Sequence, residues 1–306
     1  MTQGYASMLI DAPVEAVWAA VRDFGDMSWL PGVVDCRIEG GRDSDSVGCV
    51  RVFAIGDGAT ASERLLELDD SRYRFVYSFV KPAFPIENYV ATFELIPVTD
   101  GNRTFAQWSA TFDEAPDDRG KYSDIVSQHV FAAGLASLKG LVAGRAAPAH
   151  AVRWQGLRPA KVFVSSVIEA DIDAAWARMR DFAGMDGWHP GLRDMHMLDG
   201  ARSDKVSGIR EFSLDAGDLH EQLTLMSDAE HAFRYRILKS PMPWLNYHAG
   251  AKLLPITATG TTLAVWTADW VASAIDDASL IPDIGTNVFQ LALSTLSGQL
   301  AGRTAA

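Results

Sequence analysis

The spacing of hydrophobic and polar residues predicts the order of the secondary-structure elements. Residues 3–10 alternate weakly, as an extended strand does, and apolar residues between 14 and 21 then recur at helical spacing. Six further strand-like runs are separated by Gly, Asp and Pro turn signals, near 33–40, 48–55, 60–68, 72–80, 87–97 and 103–113. A long apolar stripe predicts a helix from about 118 to 143. This order predicts an α+β fold.

The second half of the chain repeats the first. Residues 88–98 (NYVATFELIPV) correspond to residues 246–256 (NYHAGAKLLPI), which lie 158 positions later. Without a gap, 12 of the 36 residues that start at Glu63 are identical to those that start at Glu221. Because this period is far too long for a solenoid, it indicates the tandem duplication of a whole domain. We predict one domain at 1–146, a linker at 147–159 and a second domain at 160–306.

Composition narrows the class of protein and its location. The chain has 306 residues, of which 48% are hydrophobic, and a mean hydropathy of +0.02, which is typical of a soluble globular protein. No uninterrupted apolar run reaches the length of a membrane span, and the N-terminus lacks the pattern of a signal peptide. The two cysteines are too few for a disulfide framework. We therefore predict a cytoplasmic protein with no membrane span.

Charge and motifs argue against several kinds of partner. The net charge is −12, and no basic stripe with interleaved aromatic residues is present, so we predict no nucleic-acid partner. The seven histidines are scattered without metal-ligand spacing, and nucleotide-binding and nucleophile motifs are absent from the sequence. We predict no metal and no cofactor. The exposed face of the sheet is a candidate surface for a homodimer.

Candidate catalytic residues follow from the two-residue period of the strands. Arg51, Glu63 and Tyr89 each share a strand face with apolar residues, so they are predicted to point inward. An arginine can hold a carboxylate or a developing oxyanion, and burial raises the pKa of a glutamate toward that of a general acid or base. With a tyrosine hydroxyl, such a set suits enolisation, dehydration or a proton shift. The second copy repeats it as Arg210, Glu221 and Tyr247.

Apolar and aromatic residues near these groups are predicted to line a pocket between the sheet and the long helix, where a small hydrophobic molecule would bind. In the first copy the candidates are Trp29, Phe53, Trp108 and Phe131. In the second copy they are Trp188, His189, Phe212, Trp266 and Phe289. His189 replaces Leu30 of the first copy, which makes it a candidate for an additional acid or base.

Several segments carry a resemblance to a known superfamily: DAPVEAVWAAVRDF, WLPGV, VGCVR, ERLLELDD, NYVATFELIP and TFAQWSATF, with their counterparts in the second copy. The sequence resembles the START-related, birch-pollen-allergen-like (SRPBCC) helix-grip proteins, in particular the polyketide cyclase/dehydrase-like members. The resemblance implies two tandem domains, each a curved antiparallel sheet wrapped around a long C-terminal helix. The superfamily includes lipid carriers, hormone receptors, aromatase/cyclases and lyases, so it does not fix the function.

The catalytic motif most resembles that of the lachrymatory factor synthase-like members. In those proteins a Gly-Cys-x-Arg arginine, a glutamate that opens the next strand and a later tyrosine carry out a proton transfer. Gly48-Cys49-Val50-Arg51, Glu63 and Tyr89 match these positions. The second copy reads Ser207-Gly208-Ile209-Arg210 and lacks the cysteine. The resemblance therefore implies a class of reaction and leaves the substrate open.

Two functions remain open from the sequence. The first is a cofactor-independent lyase, isomerase or cyclase/dehydratase that acts on a small hydrophobic, oxygenated, polyketide-like or aromatic-like substrate. The second is non-catalytic binding or transport of a small hydrophobic ligand, in which the arginine anchors an acid group. Arg51 and Glu63 also fit a structural ion pair, Tyr89 fits a core tyrosine, and one copy alone could be catalytic. We favour the enzyme, because a buried Arg and Glu are costly to retain without a use.

Overall fold

The computed structural model describes residues 1–56, 58–146 and 160–302. The predicted linker, 147–159, lies outside the described residues. The chain forms two compact units, one in each half of the sequence, which we call domain 1 and domain 2. The limits 1–146 and 160–306 remain our proposal for where each domain begins and ends.

Domain 1 contains a seven-stranded antiparallel sheet, one short helix and one long helix. Its strands are β1 (Thr2–Ile10), β2 (Val33–Ile38), β3 (Val50–Ile55), β4 (Thr60–Asp69), β5 (Arg74–Lys81), β6 (Ile86–Val98) and β7 (Arg103–Glu114). Its helices are α1 (Val14–Val21) and α2 (Lys121–Val142). The strand order is β1-β7-β6-β5-β4-β3-β2, so each strand from β2 to β6 pairs with the next one along the chain, and β1 pairs with β7.

Domain 2 repeats this topology. Its strands are β8 (Val162–Ile168), β9 (Arg193–Met197), β10 (Ile209–Leu214), β11 (Gly217–Ser227), β12 (Ala232–Lys239), β13 (Leu245–Ile256) and β14 (Thr261–Val271). Its helices are α3 (Ile172–Met179) and α4 (residues 274–300). The strand order is β8-β14-β13-β12-β11-β10-β9. The predicted α+β fold of two tandem helix-grip domains is confirmed.

The core of each domain lies between one face of the sheet and the long helix. In domain 1 the inward-facing Phe93 and Trp108 pack with Phe131 and Leu135 of α2 in a single apolar cluster. The indole of Trp108 stacks on the ring of Phe131, with 4.5 Å between ring centroids. The apolar stripe predicted from the sequence is the face of α2 that contacts the sheet.

Each long helix contains a wide π-helical segment. In α2 the segment Ile125–Ala132 lies between Lys121–Asp124 and Ala133–Val142, and in α4 it is Ile284–Gln290. A π-helix bonds residue i to residue i+5, so it inserts an extra residue into a turn. The sequence pattern predicted a continuous helix and did not reveal these wider turns.

A glycine lets α2 approach the sheet closely. A Cβ atom at Gly134 would lie 2.7 Å from Leu30 Cδ1 and 3.0 Å from Trp108 Cζ3. Both distances are too short for a side chain, so this position requires glycine unless its neighbours move. On the exposed side of the same helix, a Cβ at Gly140 would meet nothing within 4 Å.

By length and composition, helix α2 also resembles a membrane-spanning helix, with a mean hydropathy of 1.3 over its most apolar stretch. A single helix of this kind is weak evidence for a membrane span, because the core helix of a soluble domain passes the same test. In this structure the buried apolar residues of α2, such as Phe131, Leu135 and Leu138, belong to the core of domain 1.

A candidate ligand cavity with a buried ion pair

Domain 1 contains a cavity of about 270 Å³ between the sheet and α2. Its wall is mostly apolar, with Phe53 from β3, Phe79 from β5 and Val130 from α2. Polar side chains also line it, namely Arg51, Glu63, Tyr77, Tyr89 and His129. A mostly apolar cavity with a few converging polar groups is typical of a small-molecule site.

Arg51 and Glu63 form a buried ion pair. They lie directly opposite each other on the paired strands β3 and β4 and are 3% and 4% exposed. Arg51 donates from Nε to Glu63 Oε2 at 2.7 Å, and its Nη2 lies 2.5 Å from the same oxygen. Its Nη1 donates to the main-chain oxygen of Phe24 at 3.1 Å, and the Phe24 ring lies 3.9 Å from Cζ. The guanidinium is therefore held by the protein on three sides.

Only one oxygen of the Glu63 carboxyl accepts hydrogen bonds from the described residues. Oε2 accepts from Arg51, whereas Oε1 accepts no hydrogen bond from the described residues. Burial raises the pKa of Glu63, although the charge and hydrogen bonds of Arg51 act in the opposite direction. A carboxyl with a raised pKa and one unoccupied oxygen beside a cavity has the properties of a general acid or base.

Two tyrosine hydroxyls lie beside this pair. The hydroxyl of Tyr77 accepts a hydrogen bond from Trp108 Nε1 at 3.0 Å and lies 3.5 Å from the hydroxyl of Tyr89. Burial, and the nearby negative charge of Glu63, raise the pKa of Tyr77 and of Tyr89. Both hydroxyls therefore keep their protons at neutral pH and can donate a hydrogen bond to a ligand oxygen.

The structure brings most of the predicted domain 1 residues to one place. Arg51, Glu63, Tyr89, Phe53 and Trp108 line the same cavity. Two other predicted pocket residues pack against Trp108 and are not among the lining residues: Trp29, at 5.4 Å between ring centroids, and Phe131.

Tyr77 was not predicted as a site residue. Tyr77 and its counterpart Tyr235 are among the identities between the two copies, which was a usable signal. His129 was also missed. It is exposed and lies on α2, where no repeated residue marks it, because the second copy has Asn287 there.

Domain 2 repeats the ion pair. Arg210 and Glu221 lie directly opposite each other on β10 and β11. Arg210 donates from Nε and Nη2 to Glu221 Oε2 at 2.8 and 2.5 Å, and its Nη1 donates to the main-chain oxygen of Phe182. Its Cζ lies 5.5 Å from the ring of Phe212. Burial raises the pKa of Glu221 despite the nearby Arg210.

The rings around the domain 2 tyrosine differ from those in domain 1. Trp244 and Trp270 occupy the positions of Ile86 and Phe112. The ring centroid of Tyr247 lies 4.8 Å from that of Trp244 and 5.6 Å from that of Trp270, on which it stacks. Larger rings therefore surround the tyrosine of domain 2.

Domain 2 also contains buried donors that lack partners. His189 is 3% exposed, and its Nδ1 accepts a hydrogen bond from the Gly191 amide at 3.0 Å, so its other ring nitrogen, Nε2, carries the hydrogen of the neutral ring. Among the described residues, Nε2 forms no hydrogen bond of normal geometry. The nearby main chain of Val288 acts to raise the pKa of the ring. Burial outweighs this and lowers the pKa of His189, so the neutral ring is favoured.

Three of the predicted aromatic residues of domain 2 pack against one another in its core. Trp266 stacks on Phe289 at 4.7 Å between ring centroids, and the ring of Trp188 lies 6.4 Å from that of Trp266. Within the described part of the chain, Nε1 of Trp188, of Trp244 and of Trp266 also lacks a hydrogen-bond acceptor. A polar ligand atom or water would satisfy these groups.

No cluster of three or more His, Cys, Asp or Glu side chains suited to a metal ion occurs in residues 1–56, 58–146 and 160–302. The polar side chains of the domain 1 cavity can donate and accept hydrogen bonds, and the carboxyl of Glu63 can also exchange a proton with a ligand.

Comparison with known proteins places this architecture in a family. A family model described as "Polyketide cyclase / dehydrase and lipid transport" matches residues 1–143 and again residues 159–288. A protein from Thermobifida fusca, solved by NMR, is 32% identical over 46% of this chain and 93% of its own, with a TM-score of 0.43. The protein XoxI from Bacillus cereus is 29% identical over 47% of this chain and 97% of its own, with a TM-score of 0.41.

A two-domain structure was also found. The di-domain ARO/CYC BexL from the BE-7585A biosynthetic pathway aligns over 100% of both chains, at 13% identity and a TM-score of 0.38. The family assignment depends on the two successive matches to the family model, which together cover most of the sequence. This chain belongs to the polyketide cyclase/dehydrase and lipid-transport family, with one copy of the family domain in each half.

Proposed function

We propose that domain 1 is a cofactor-independent acid/base enzyme, a lyase, isomerase or cyclase/dehydratase, that acts on a small hydrophobic molecule with a carbonyl or hydroxyl group. The observation that carries this proposal is the convergence of the Glu63 carboxyl and the Tyr77 and Tyr89 hydroxyls on one mostly apolar cavity. The family description supports a cyclase-like or ligand-binding role. A cytoplasmic location and a homodimer remain predictions from the sequence.

The volume of the cavity limits the size of the substrate. An apolar cavity of about 150 Å³ holds one benzene molecule. The 270 Å³ of the domain 1 cavity therefore suits a molecule of about two fused rings. This size agrees with an aromatic-like or short polyketide-like substrate.

Each polar group has a distinct role in the proposed reaction. Glu63 removes a proton from the carbon next to a carbonyl group, and a tyrosine hydroxyl donates a hydrogen bond to the enolate oxygen on which negative charge develops. Glu63 then returns the proton to another carbon, or to a departing hydroxide in a dehydration. Arg51 acts as a positioning residue, because its hydrogen bonds to Oε2 leave Oε1 to face the substrate.

Non-catalytic binding is the second candidate function, and one observation favours it. Arg51 directs its donors to Glu63 and to the main chain of Phe24, as an arginine in a purely structural ion pair would. In that case the cavity holds a hydrophobic ligand and Glu63 moves no proton. The family description, which names lipid transport, agrees with this role.

Deuterium exchange distinguishes the two functions. A suitable probe is 2-tetralone, a two-ring ketone, in deuterated buffer with proton NMR detection. The enzyme hypothesis predicts that the protein accelerates exchange at the carbon next to the carbonyl by about a hundredfold, the range of general-base catalysis. Glu63→Gln should remove this acceleration, while binding of 2-tetralone, followed by tryptophan fluorescence, changes little.

The second copy provides the matched control. Glu221→Gln makes the same chemical change in domain 2 and should leave exchange unchanged, which assigns the activity to domain 1. Exchange that persists in Glu63→Gln contradicts the proposed role of Glu63. Binding without any acceleration by the unmodified protein supports the binding function instead.

A further inference from the structure

A groove crosses the outer face of the domain 2 sheet, on the side opposite α4. It encloses about 560 Å³ and lies over β11, β12, β13 and β14. The side chains that border it alternate along the strands with buried residues such as Phe233, Tyr235 and Tyr247, which face the core. The groove therefore lies on the face of the sheet opposite the core of domain 2.

Four basic side chains lie close together at this groove. Arg234 and Arg236 are on β12, and His248 and Lys252 are on β13. In the register of these strands Arg236 lies opposite His248, and Arg234 lies opposite Gly250. Side chains directly across a strand pair are about 5 Å apart and diagonal ones about 7–8 Å apart. Arg234 and Arg236, two residues apart on one face of β12, are thus within reach of one small anion. His248 and Lys252 lie on either side of them, opposite Arg236 and Ala232.

Carboxylates neutralise only part of this charge, although the carboxylate of Asp269 also lines the groove. Lys252 donates to Glu230 at 2.7 Å, whereas Arg236 donates from Nε to the neutral Gln222 at 2.9 Å. Arg234 has neither a hydrogen bond nor an ion pair among the described residues. Like charges held side by side on a sheet destabilise it, and an anion bound between them would relieve this repulsion.

The first copy shows that the fold does not require these basic residues. At the equivalent positions of the domain 1 sheet, 158 residues earlier, the side chains are Val76, Ser78, Val90 and Glu94. The acidic Glu94 accepts a hydrogen bond there from Gln107 at 2.7 Å. Of the two copies, domain 2 alone carries basic residues at these four positions.

A glycine in the floor of the groove leaves room for the Arg234 side chain. A Cβ atom at Gly250 would lie 2.7 Å from the main-chain oxygen of Phe233 and 2.9 Å from Arg234 Cγ. Glycine at this position keeps the floor low and lets the Arg234 side chain pass over β13. The remaining floor is built by small or branched side chains, Thr224, Val265 and Thr267.

We propose that this groove binds a small molecule that carries a phosphate or a similar oxyanion, with Arg234 and Arg236 as its ligands. The planar guanidinium donates two parallel hydrogen bonds to the oxygens of a phosphate. The volume of the groove lies within the range of small-molecule sites. His248 and Lys252 add donors at the edge, and the floor around Gly250 accommodates the body of the ligand.

Binding is tested by isothermal titration calorimetry of the full chain with inorganic phosphate and with glycerol 3-phosphate. The variant Arg234→Val/Arg236→Ser introduces the residues of domain 1 and should weaken phosphate binding by about tenfold or more, the effect of losing charge-assisted hydrogen bonds. The control Arg193→Ala/Arg202→Ala removes the same net charge from exposed positions of domain 2 and should change the affinity by less than about twofold.

A second variant separates hydrogen-bond geometry from charge. Arg234→Lys/Arg236→Lys keeps both charges but loses the guanidinium fork, so binding should weaken by about threefold to tenfold. Tighter binding of glycerol 3-phosphate than of phosphate assigns the site to phosphate esters, and equal affinities assign it to the free oxyanion. The proposal is overturned if the unmodified protein does not bind either probe, or if the control variant loses as much affinity as Arg234→Val/Arg236→Ser.

Discussion

The variant Arg51→Met tests the buried ion pair most directly. It removes the guanidinium that contacts Glu63 and leaves the carboxyl at a site where the residue is only 4% exposed. Breaking a buried pair by removing one partner typically costs about 3–5 kcal/mol of unfolding free energy. We expect a loss of this size at about pH 8, because the carboxylate there has lost its counter-charge.

The effect should depend on pH in a defined direction. Burial already raises the pKa of Glu63 above the reference value of 4.5, and the variant removes the group that opposes this rise. The folded variant therefore binds a proton more tightly than the unfolded chain does. The contribution of the protonated Glu63 to the stability of the variant is fully present below the pKa of Glu63 in the unfolded chain. It is lost as the pH rises through the pKa of Glu63 in the folded variant, by at most about 1.4 kcal/mol per pH unit.

Urea unfolding followed by tryptophan fluorescence, at about pH 5 and about pH 8, measures this effect. Arg210→Met makes the equivalent change in domain 2 and shows which transition belongs to which domain. The control Arg72→Met breaks an ion pair whose arginine is 61% exposed, so it should cost less than about 1 kcal/mol. The double variant Arg51→Met/Glu63→Leu should recover most of the lost stability, because no unpaired charge remains. A loss in Arg51→Met below about 1 kcal/mol, or equal losses at both pH values, would refute this reasoning.

Two further variants test the packing around the cavity, with the same unfolding assay. Gly134→Ala should lower the unfolding free energy by about 1–3 kcal/mol, because its Cβ would approach Leu30 to 2.7 Å. Gly140→Ala on the same helix should raise it by about 0.5–1 kcal/mol from helix propensity alone. A gain in both variants would mean that the neighbours of Gly134 adjust at no cost. Tyr77→Phe should cost about 1–3 kcal/mol because it leaves the buried Nε1 of Trp108 without its acceptor. A neutral Tyr77→Phe would show that this hydrogen bond contributes little.

The inward direction of the candidate catalytic residues could be predicted because a strand has a fixed two-residue period. Arg51 and Tyr89 are more buried than the residues on either side of them, and Glu63 shares its face with the buried Leu65. One face of the sheet must be buried, so the period of the strands identifies that face. The duplication strengthened this prediction by showing the same three residue types twice. The same rule applies to Tyr77 on β5, although its position on that strand was not used to assign it to the site.

The depth of a residue within the core could not be predicted in the same way. Trp29 and Phe131 face inward as expected, but Trp108 lies between them, with ring contacts of 5.4 and 4.5 Å. Periodicity assigns a residue to a face and contains no information about which of several inward rings is next to a cavity. The π-helical segments were equally hidden, since they depend on how the main chain fits the sheet.

The π-helical segments of the two long helices bear on the origin of the duplicated domain. Both long helices contain one, at Ile125–Ala132 and at Ile284–Gln290, in matching positions of the two copies. Matching positions are expected if the wide turn is older than the duplication of the domain. Later loss of one residue there would have rotated the rest of the helix by about 100° and removed its apolar stripe from the sheet. Lineages that descend from the ancestral single domain should thus vary in length in their loops and keep the residue count of this helix constant.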